Sequence, residues 1–254
     1  MFRNTLIVAC CFCSPALAQN ITITSAASPF AGFAPESLAT VTGTNLAPVT
    51  VTATTQPWPT TLGGVTIFVS DSALVTRPAG LLLVSPTQIN FQVPVGTALG
   101  QATVSIAAPD ARFSIPVLIQ RSAPGLFSVN QFGVAAATAI RVVIATQIQS
   151  PIPVFRCTAG MVFCQLVPIS LGVDTPIYLS FFGTGIRGRS SLANVRVMIG
   201  TVEIAPTYAG PQGRTPGLDQ VNVPLVLSLR GAGVVNVTVT VDGVRSNPVR
   251  IEVQ

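Results

Sequence analysis

The sequence lacks the two residue types on which most enzyme mechanisms depend. Its 254 residues include no histidine, and all 13 basic residues are arginine, so lysine is absent too. Without histidine, Ser-His-Asp and Cys-His arrangements and most zinc sites cannot be built. Without lysine, Ser-Lys dyads and Schiff bases are excluded. Only carboxylate chemistry remains for acid–base catalysis.

Carboxylates are themselves few. A glycosidase needs two of them facing each other at about 5–10 Å, but none of the eight lies within a recognisable motif. Asp110 and Asp242 fall in predicted turns, where aspartate is locally favoured. We therefore predict no enzymatic activity and no cofactor, with a secreted carboxylate-based hydrolase as the weakest alternative. The eight acids are Glu36, Asp71, Asp110, Asp174, Glu203, Asp219, Asp242 and Glu252.

Calcium binding is another possible role for the acidic residues, because loop oxygens of extracellular β domains bind this ion. Asp219, beside Gln220-Val221-Asn222, is the best single candidate. The matching position in the first half of the chain is Thr87, and no D-x-D-x-D spacing occurs. This comparison favours a turn or edge role for Asp219, and we predict no metal site.

Charge is scarce overall. Charged residues make up 8% of the chain, against about a quarter in ordinary soluble domains. The net charge of +5 is scattered, with no basic run, so we predict no nucleic-acid partner. Sheet edges with few charges are poorly protected against pairing with other chains, which makes self-association a candidate property.

The N-terminus reads as an export signal. Arg3 supplies a positive start, Thr5 to Phe12 is apolar, and Ala16-Leu17-Ala18 is a small-x-small cleavage site. We predict a signal peptide over residues 1–18, a mature chain from Gln19, and an extracytoplasmic location in the periplasm, at the cell surface or outside.

An alternative is a lipoprotein box at Ile7-Val8-Ala9-Cys10. It leaves only about five apolar residues, fewer than the roughly 7–15 that a signal core needs. After the signal, the longest apolar stretch is Val134 to Ile140. That is far short of the ~20 residues of a spanning helix, and we predict no membrane span.

Two cysteines remain after the predicted signal, Cys157 and Cys164. An even pair in an oxidising compartment predicts a disulfide. The alternative is two free buried thiols. A zinc site is excluded, because two cysteines without histidine cannot complete a tetrahedral shell.

What the sequence does contain is a long internal repeat. Pro86 to Pro94 recurs in shortened form as Leu218 to Pro224. Ser114 to Ile119 matches Ser246 to Ile251, and the first of these segments follows Gln88 at the same distance along the chain as the second follows Gln220. A repeat of this length is a whole domain. We predict two tandem domains, 19–121 and 122–254, the second with a long lead-in, Ser122 to Thr175, that holds both cysteines.

Each domain is predicted to be all-β. Val235, Val237, Val239 and Val241 alternate with polar residues, which is the period of a half-buried strand. Asp242-Gly243 predicts a type I′ hairpin turn. Strand signals recur every ten to fifteen residues among 21 Gly and 21 Pro, which favours immunoglobulin-like β-sandwiches. Val134 to Ile140 is Ala-rich, yet without a cap it favours strand over helix.

Several motifs taken together resemble a known family. The chain resembles an uncharacterised C-terminal domain family of acidobacterial (Solibacter-type) secreted proteins, and each half resembles an IPT/TIG-type immunoglobulin-like domain. The resemblance implies an extracytoplasmic β-sandwich module, but it points to no activity and transfers no catalytic residues to this chain. Its motifs are Val84 to Pro94, Ala123-Pro124-Gly125-Leu126-Phe127, Gly183-Thr184-Gly185-Ile186, Tyr208-Ala209-Gly210 and Pro216 to Asn222.

These observations predict a non-catalytic extracellular structural or interaction module for adhesion or assembly, with a protein or a cell-surface polymer as partner. The alternative is a carbohydrate-binding module that uses Trp58, the only tryptophan, between Pro57 and Pro59. A loop aromatic can stack on a ligand. The interpretation that we favour is that it folds back as a lid over the end of the first sandwich.

Overall fold

A computed structural model describes residues 21–30, 32–109, 111–158 and 163–254. The predicted signal peptide and Asp110 lie outside these ranges. The described chain is all-β, as predicted, and forms two tandem immunoglobulin-like sandwiches. Its helical content is limited, in these ranges, to two single 3-10 turns at Leu192–Asn194 and Leu227–Leu229. No described helix has the length and apolarity that crossing a bilayer requires.

The first sandwich has one sheet with the strand order β1-β2-β8-β7-β3 and a second with the order β10-β9-β5-β4, where β6 also pairs with β5. Its buried hydrophobic core draws on residues from Ile23 to Ile119. The strands are β1 (Thr22–Ser25), β2 (Leu38–Thr42), β3 (Val51–Thr52), β4 (Thr61–Leu62), β5 (Val65–Ser70), β6 (Thr76–Pro78), β7 (Gly80–Val84), β8 (Gln88–Gln92), β9 (Gly100–Ala107) and β10 (Arg112–Ile119).

The second sandwich has one sheet in the order β13-β12-β16-β20-β19, with β11 paired to β16, and another in the order β18-β17-β21-β22, with β23 paired to β21. Its core runs from Leu126 to Val253. The strands are β11 (Gly125–Leu126), β12 (Ala137–Val143), β13 (Ile148–Ile152), β14 (Phe155–Cys157), β15 (Cys164–Leu166), β16 (Ile177–Thr184), β17 (Val195–Ile199), β18 (Val202–Ile204), β19 (Tyr208–Pro211), β20 (Asp219–Pro224), β21 (Gly233–Val241), β22 (Val244–Arg245) and β23 (Val249–Val253).

The recurring Gln-x-Asn segment lies at the centre of a sheet in both sandwiches. Strand β8 lies between β2 and β7, and β20 lies between β16 and β19. Alternation directs Ile89 and Phe91 into the core. On the other face, Gln88 donates a hydrogen bond to Asn90 Oδ1 at 2.8 Å. The equivalent bond in the second sandwich joins Gln220 to Asn222 at 2.7 Å. These amides brace the strand.

Turn and strand predictions are confirmed at specific positions. Asp242 and Gly243 both have positive φ, 49° and 86°, and connect paired Val241 and Val244, as a type I′ turn requires. The Ala-rich segment forms strand β12, which pairs with β13 and β16. The predicted lead-in to the second domain therefore contributes strands to the main sheet.

The predicted disulfide is confirmed. Cys157 and Cys164 are bonded and face each other in the two-stranded β14–β15 hairpin. Tyr178 and Tyr208 are 42% and 37% exposed, because their neighbours Ile177, Leu179 and Ala209 take the inward positions of the alternation.

Candidate functional site: the junction between the sandwiches

The segment that joins the sandwiches, Arg121 to Gly125 (the linker), lies against a glycine-rich stretch that begins at the end of β16 with Gly183 and continues to Gly188. Gly185 has φ +73°, and a Cβ there would overlap the Ala123 carbonyl. A Cβ at Gly183 would overlap the Gly125 carbonyl, and one at Gly188 the Arg121 carbonyl. The Ala123 N–H donates to the Gly185 carbonyl at 2.9 Å. The linker backbone therefore contacts the second sandwich at distances that only glycine permits.

A buried threonine joins the two sandwiches next to this turn. Thr184 Oγ1 accepts from the Leu38 N–H of the first sandwich at 2.8 Å. The same hydroxyl donates to the Gly217 carbonyl at 2.8 Å. Thr184 is fully buried, so this bridge is shielded from water.

Arg187 forms the second contact that joins the two sandwiches. Its Nε donates to Asp219 Oδ1 at 2.8 Å, and one terminal nitrogen contacts Glu36 Oε1 at 3.1 Å. The other terminal nitrogen donates to the Leu218 carbonyl at 3.0 Å. The Arg187 side chain is 12% exposed and the Glu36 side chain is 38% exposed. One largely buried cation thus links a loop of the first sandwich to a strand of the second.

Asp219 is the buried acceptor in the hydrogen-bond network that it forms with Arg187 and Glu36. Its side chain has no exposure, and Oδ2 accepts from the N–H groups of Ile186 at 2.7 Å and Arg187 at 3.2 Å. Burial raises the pKa of Asp219, while the positive charge of Arg187 and these N–H donors act in the opposite direction.

This geometry does not suit calcium at Asp219. Both carboxylate oxygens already accept hydrogen bonds, and the adjacent group is a cation. In the described ranges, no cluster of three or more acidic or cysteine side chains is placed to hold a metal ion.

The network also brings two of the eight acids, Glu36 and Asp219, onto one guanidinium. A pair of carboxylates is what a hydrolase requires. Here, however, Arg187 lies between them and Asp219 is inaccessible to a substrate. Asp71 is similarly occupied, because it accepts from the N–H groups of Ala73, Val75 and Ala98 and pairs with Arg77. These acids brace turns.

Trp58 requires a correction as a candidate ligand contact. Only 7% of it is exposed, so its ring is not presented for stacking on a sugar. The following residue, Pro59, accepts from the Leu81 N–H at 2.8 Å, and a Cβ at Gly80 would lie 3.3 Å from Trp58 Cβ. The loop folds back on β7, because burying a large aromatic side chain is favourable.

The junction residues were not predicted from the sequence, although a signal was present. The second copy reads Gly183-Thr184-Gly185-Ile186-Arg187-Gly188, where the first reads Gly43-Thr44-Asn45-Leu46-Ala47-Pro48. Two extra glycines and an arginine in one copy of a repeat mark a position where another part of the chain approaches closely.

No protein-family model and no curated protein matches the chain. Among solved structures, similarity is found to the plexin A4 extracellular region, with 14% identity and a TM-score of 0.26 over 94% of this chain and 19% of that one. Domains 5–6 of the S-layer protein SbsC are similar at 11% identity and a TM-score of 0.29, over 92% and 96% of the two chains. The chain therefore spans about a fifth of the plexin region, and scores this low support no conclusion about function.

Proposed function

We propose that this chain is a non-catalytic structural module of the extracytoplasmic surface, in which two sandwiches act as one rigid unit. The observation that carries the proposal is the linker seated on Gly183, Gly185 and Gly188. Domains joined by a flexible linker and a small interface move relative to each other. A linker packed on glycine leaves little room for such movement.

The buried ties support the same proposal. Thr184 and Arg187 each contact both sandwiches. Removing one partner of a largely buried ion pair leaves the other charge buried without a partner, which is unfavourable. The intact pair adds little net stability, so its main effect is to favour the one geometry in which both partners meet. A spacer or scaffold needs a fixed geometry, and a catalyst would need accessible reactive groups.

Location and boundaries form part of the proposal. The Cys157–Cys164 disulfide suits an oxidising compartment, which supports export by a signal peptide over residues 1–18. We place the domain boundary between residues 121 and 122. Membership of the acidobacterial secreted family belongs to the same proposal and is supported by the sequence motifs.

The proposed partner is a protein or a surface polymer, and two sheet edges carry a residue that opposes pairing with another copy of the chain. The edge strand β10 contains Pro116, and the edge strand β13 contains Pro151. Proline removes an N–H from a sheet edge and so opposes pairing with another chain. Self-association through these two edges is disfavoured, and size-exclusion chromatography with light scattering measures whether the chain self-associates through others.

Distances between spin labels test the rigid unit. Labels on cysteines introduced at exposed Thr55 and Thr201, with the native disulfide intact, report the separation of the sandwiches. We expect one narrow distribution, which Gly185→Ala broadens. Gly231→Ala is the matched control, since Gly231 has φ +75° and nothing within 4 Å of the added Cβ. A broad distribution in the unmodified chain would refute the proposal.

A further inference from the structure

A crevice of about 170 Å³ lies on the junction and is lined by both sandwiches. The first sandwich contributes Ser25, Ser28 and Phe30, and the second contributes Val244 and Arg245. By the rule that one water needs ~10–15 Å³ of such space, it admits a group of about ten heavy atoms. That is the size of one small ring with its substituents.

Two buried hydroxyl groups in this crevice are left with unused hydrogens. Ser25 and Ser28 are only 6% and 9% exposed. Their oxygens accept from the N–H groups of Ala27 at 3.3 Å and Phe30 at 3.2 Å. Neither hydroxyl donates a hydrogen bond to another of the described residues. Buried polar hydrogens normally have a partner, so these two indicate an acceptor from outside the chain.

Arg245 adds a cation that also has donor groups without a hydrogen-bond acceptor among the described residues. Its Nε donates to Thr238 Oγ1 at 3.2 Å, which fixes the direction of the guanidinium. Its two terminal nitrogens have no partner within the part of the chain that the structure describes. No carboxylate lines the crevice. The polar lining therefore offers hydrogen-bond donors beside an unneutralised positive charge.

Phe30 supplies the apolar side. It is 68% exposed, although the loop that carries it packs closely elsewhere: a Cβ at Gly125 would lie 3.1 Å from Ala27 Cβ. An exposed ring beside donors and a cation suits a ligand with an apolar C–H face, several oxygens and one negative charge.

We propose that this crevice binds one acidic sugar residue, a hexuronate unit of a surface polymer. The carboxylate lies on Arg245, hydroxyl oxygens of the sugar accept from Ser25 and Ser28, and the C–H face lies on Phe30. An acidic peptide side chain would use Arg245 alone and leave the serines and the ring without a role. The inference rests on the proposed rigid junction, since both sandwiches build the crevice.

Binding of trigalacturonate to the full mature chain, measured by calorimetry, tests the proposal. We expect binding that weakens at least tenfold when the probe's carboxylates are methyl-esterified. Arg245→Gln and Phe30→Ala should each cause a comparable loss. Arg214→Gln is the control, because that arginine is exposed and does not line the crevice, and it should leave the affinity unchanged.

The possible failures are distinguishable. No binding by a chain whose spin-label distances are narrow would overturn the sugar site alone. Equal affinity for the methyl ester, or unchanged affinity in Arg245→Gln, would also overturn it. Tighter binding of a Glu-rich peptide than of trigalacturonate would assign the crevice to a protein partner instead. A broad distance distribution would instead overturn the rigid junction on which the site depends.

Discussion

The turn at Gly43 to Pro48 in the first sandwich and the matching turn at Gly183 to Gly188 in the second are closed by different hydrogen-bond acceptors. In the first, the Leu46 N–H donates to the backbone carbonyl of Pro86 at 3.0 Å. In the second, the equivalent Ile186 N–H donates to the Asp219 carboxylate at 2.7 Å. A backbone acceptor can only close the turn. The carboxylate closes the turn and also holds Arg187, which reaches the first sandwich.

The residue with positive φ also differs between the two turns, and the difference again depends on the linker. Asn45 has φ 54° and Gly185 has φ 73°. Asparagine tolerates this conformation, so it serves in the first sandwich. In the second, the linker carbonyl of Ala123 occupies the place of a Cβ. The comparison teaches that a turn used twice was adapted once to carry a junction.

Removing the carboxylate should give the largest effect. Asp219→Ala leaves Arg187 and the Ile186 N–H without their partner in a buried site, which we expect to lower the free energy of unfolding by about 3–5 kcal/mol. Thr87→Ala, at the matching exposed position, should change it by less than about 0.5 kcal/mol. Urea denaturation measures both. Similar effects at the two positions would break the comparison.

Adding one methyl group at the turn should come next. Gly185→Ala combines backbone strain with overlap at the linker, and we expect a loss of about 3 kcal/mol. Gly231→Ala has the strain without the overlap and should lose about 1 kcal/mol. Thermal unfolding of the two variants separates these contributions. Equal losses would mean that the linker does not press on Gly185.

The buried acids of the two sandwiches differ in their response to pH. The Ala98 N–H, with Val75, Arg77 and Ala73, lowers the pKa of Asp71 to about 2, against the ordinary 3.8. A lowered folded-state pKa contributes stability above the ordinary value, and that stability is lost as the pH falls from about 4 to 2.

Asp219 should not add to this acid loss, because burial raises its pKa. A raised folded-state pKa favours folding at low pH and loses that contribution as the pH rises through it. We expect Asp71→Asn to flatten the dependence of stability on pH between about 4 and 2. An unchanged slope in that variant would show that Asp71 is not its source.

The exposed end of the network should matter least. Glu36→Gln removes a pair that is 38% exposed on the acid side, so we expect a loss of about 0.5–1 kcal/mol in urea denaturation. The exposed pair of Arg196 and Glu203 provides the comparison, and Glu203→Gln should lose less than about 0.5 kcal/mol. A larger loss at Glu203 would contradict the ranking.

The sequence predicts features that depend on neighbours along the chain. Alternation identified β21, Asp242-Gly243 identified its turn, and the cysteine pair identified the disulfide. It failed where distant segments decide the outcome. The burial of Trp58 depends on β7, and the role of Arg187 depends on Glu36, which lies 151 positions earlier. The crevice around Arg245 exists only once both sandwiches are in place.

Differential scanning calorimetry of residues 19–254 tests the rigid junction most directly. Sandwiches that are joined by the Gly185 turn and by Arg187 should unfold in one transition, with calorimetric and van't Hoff enthalpies in agreement. Asp219→Ala should split that transition into two. Two separate transitions in the unmodified chain would contradict the account.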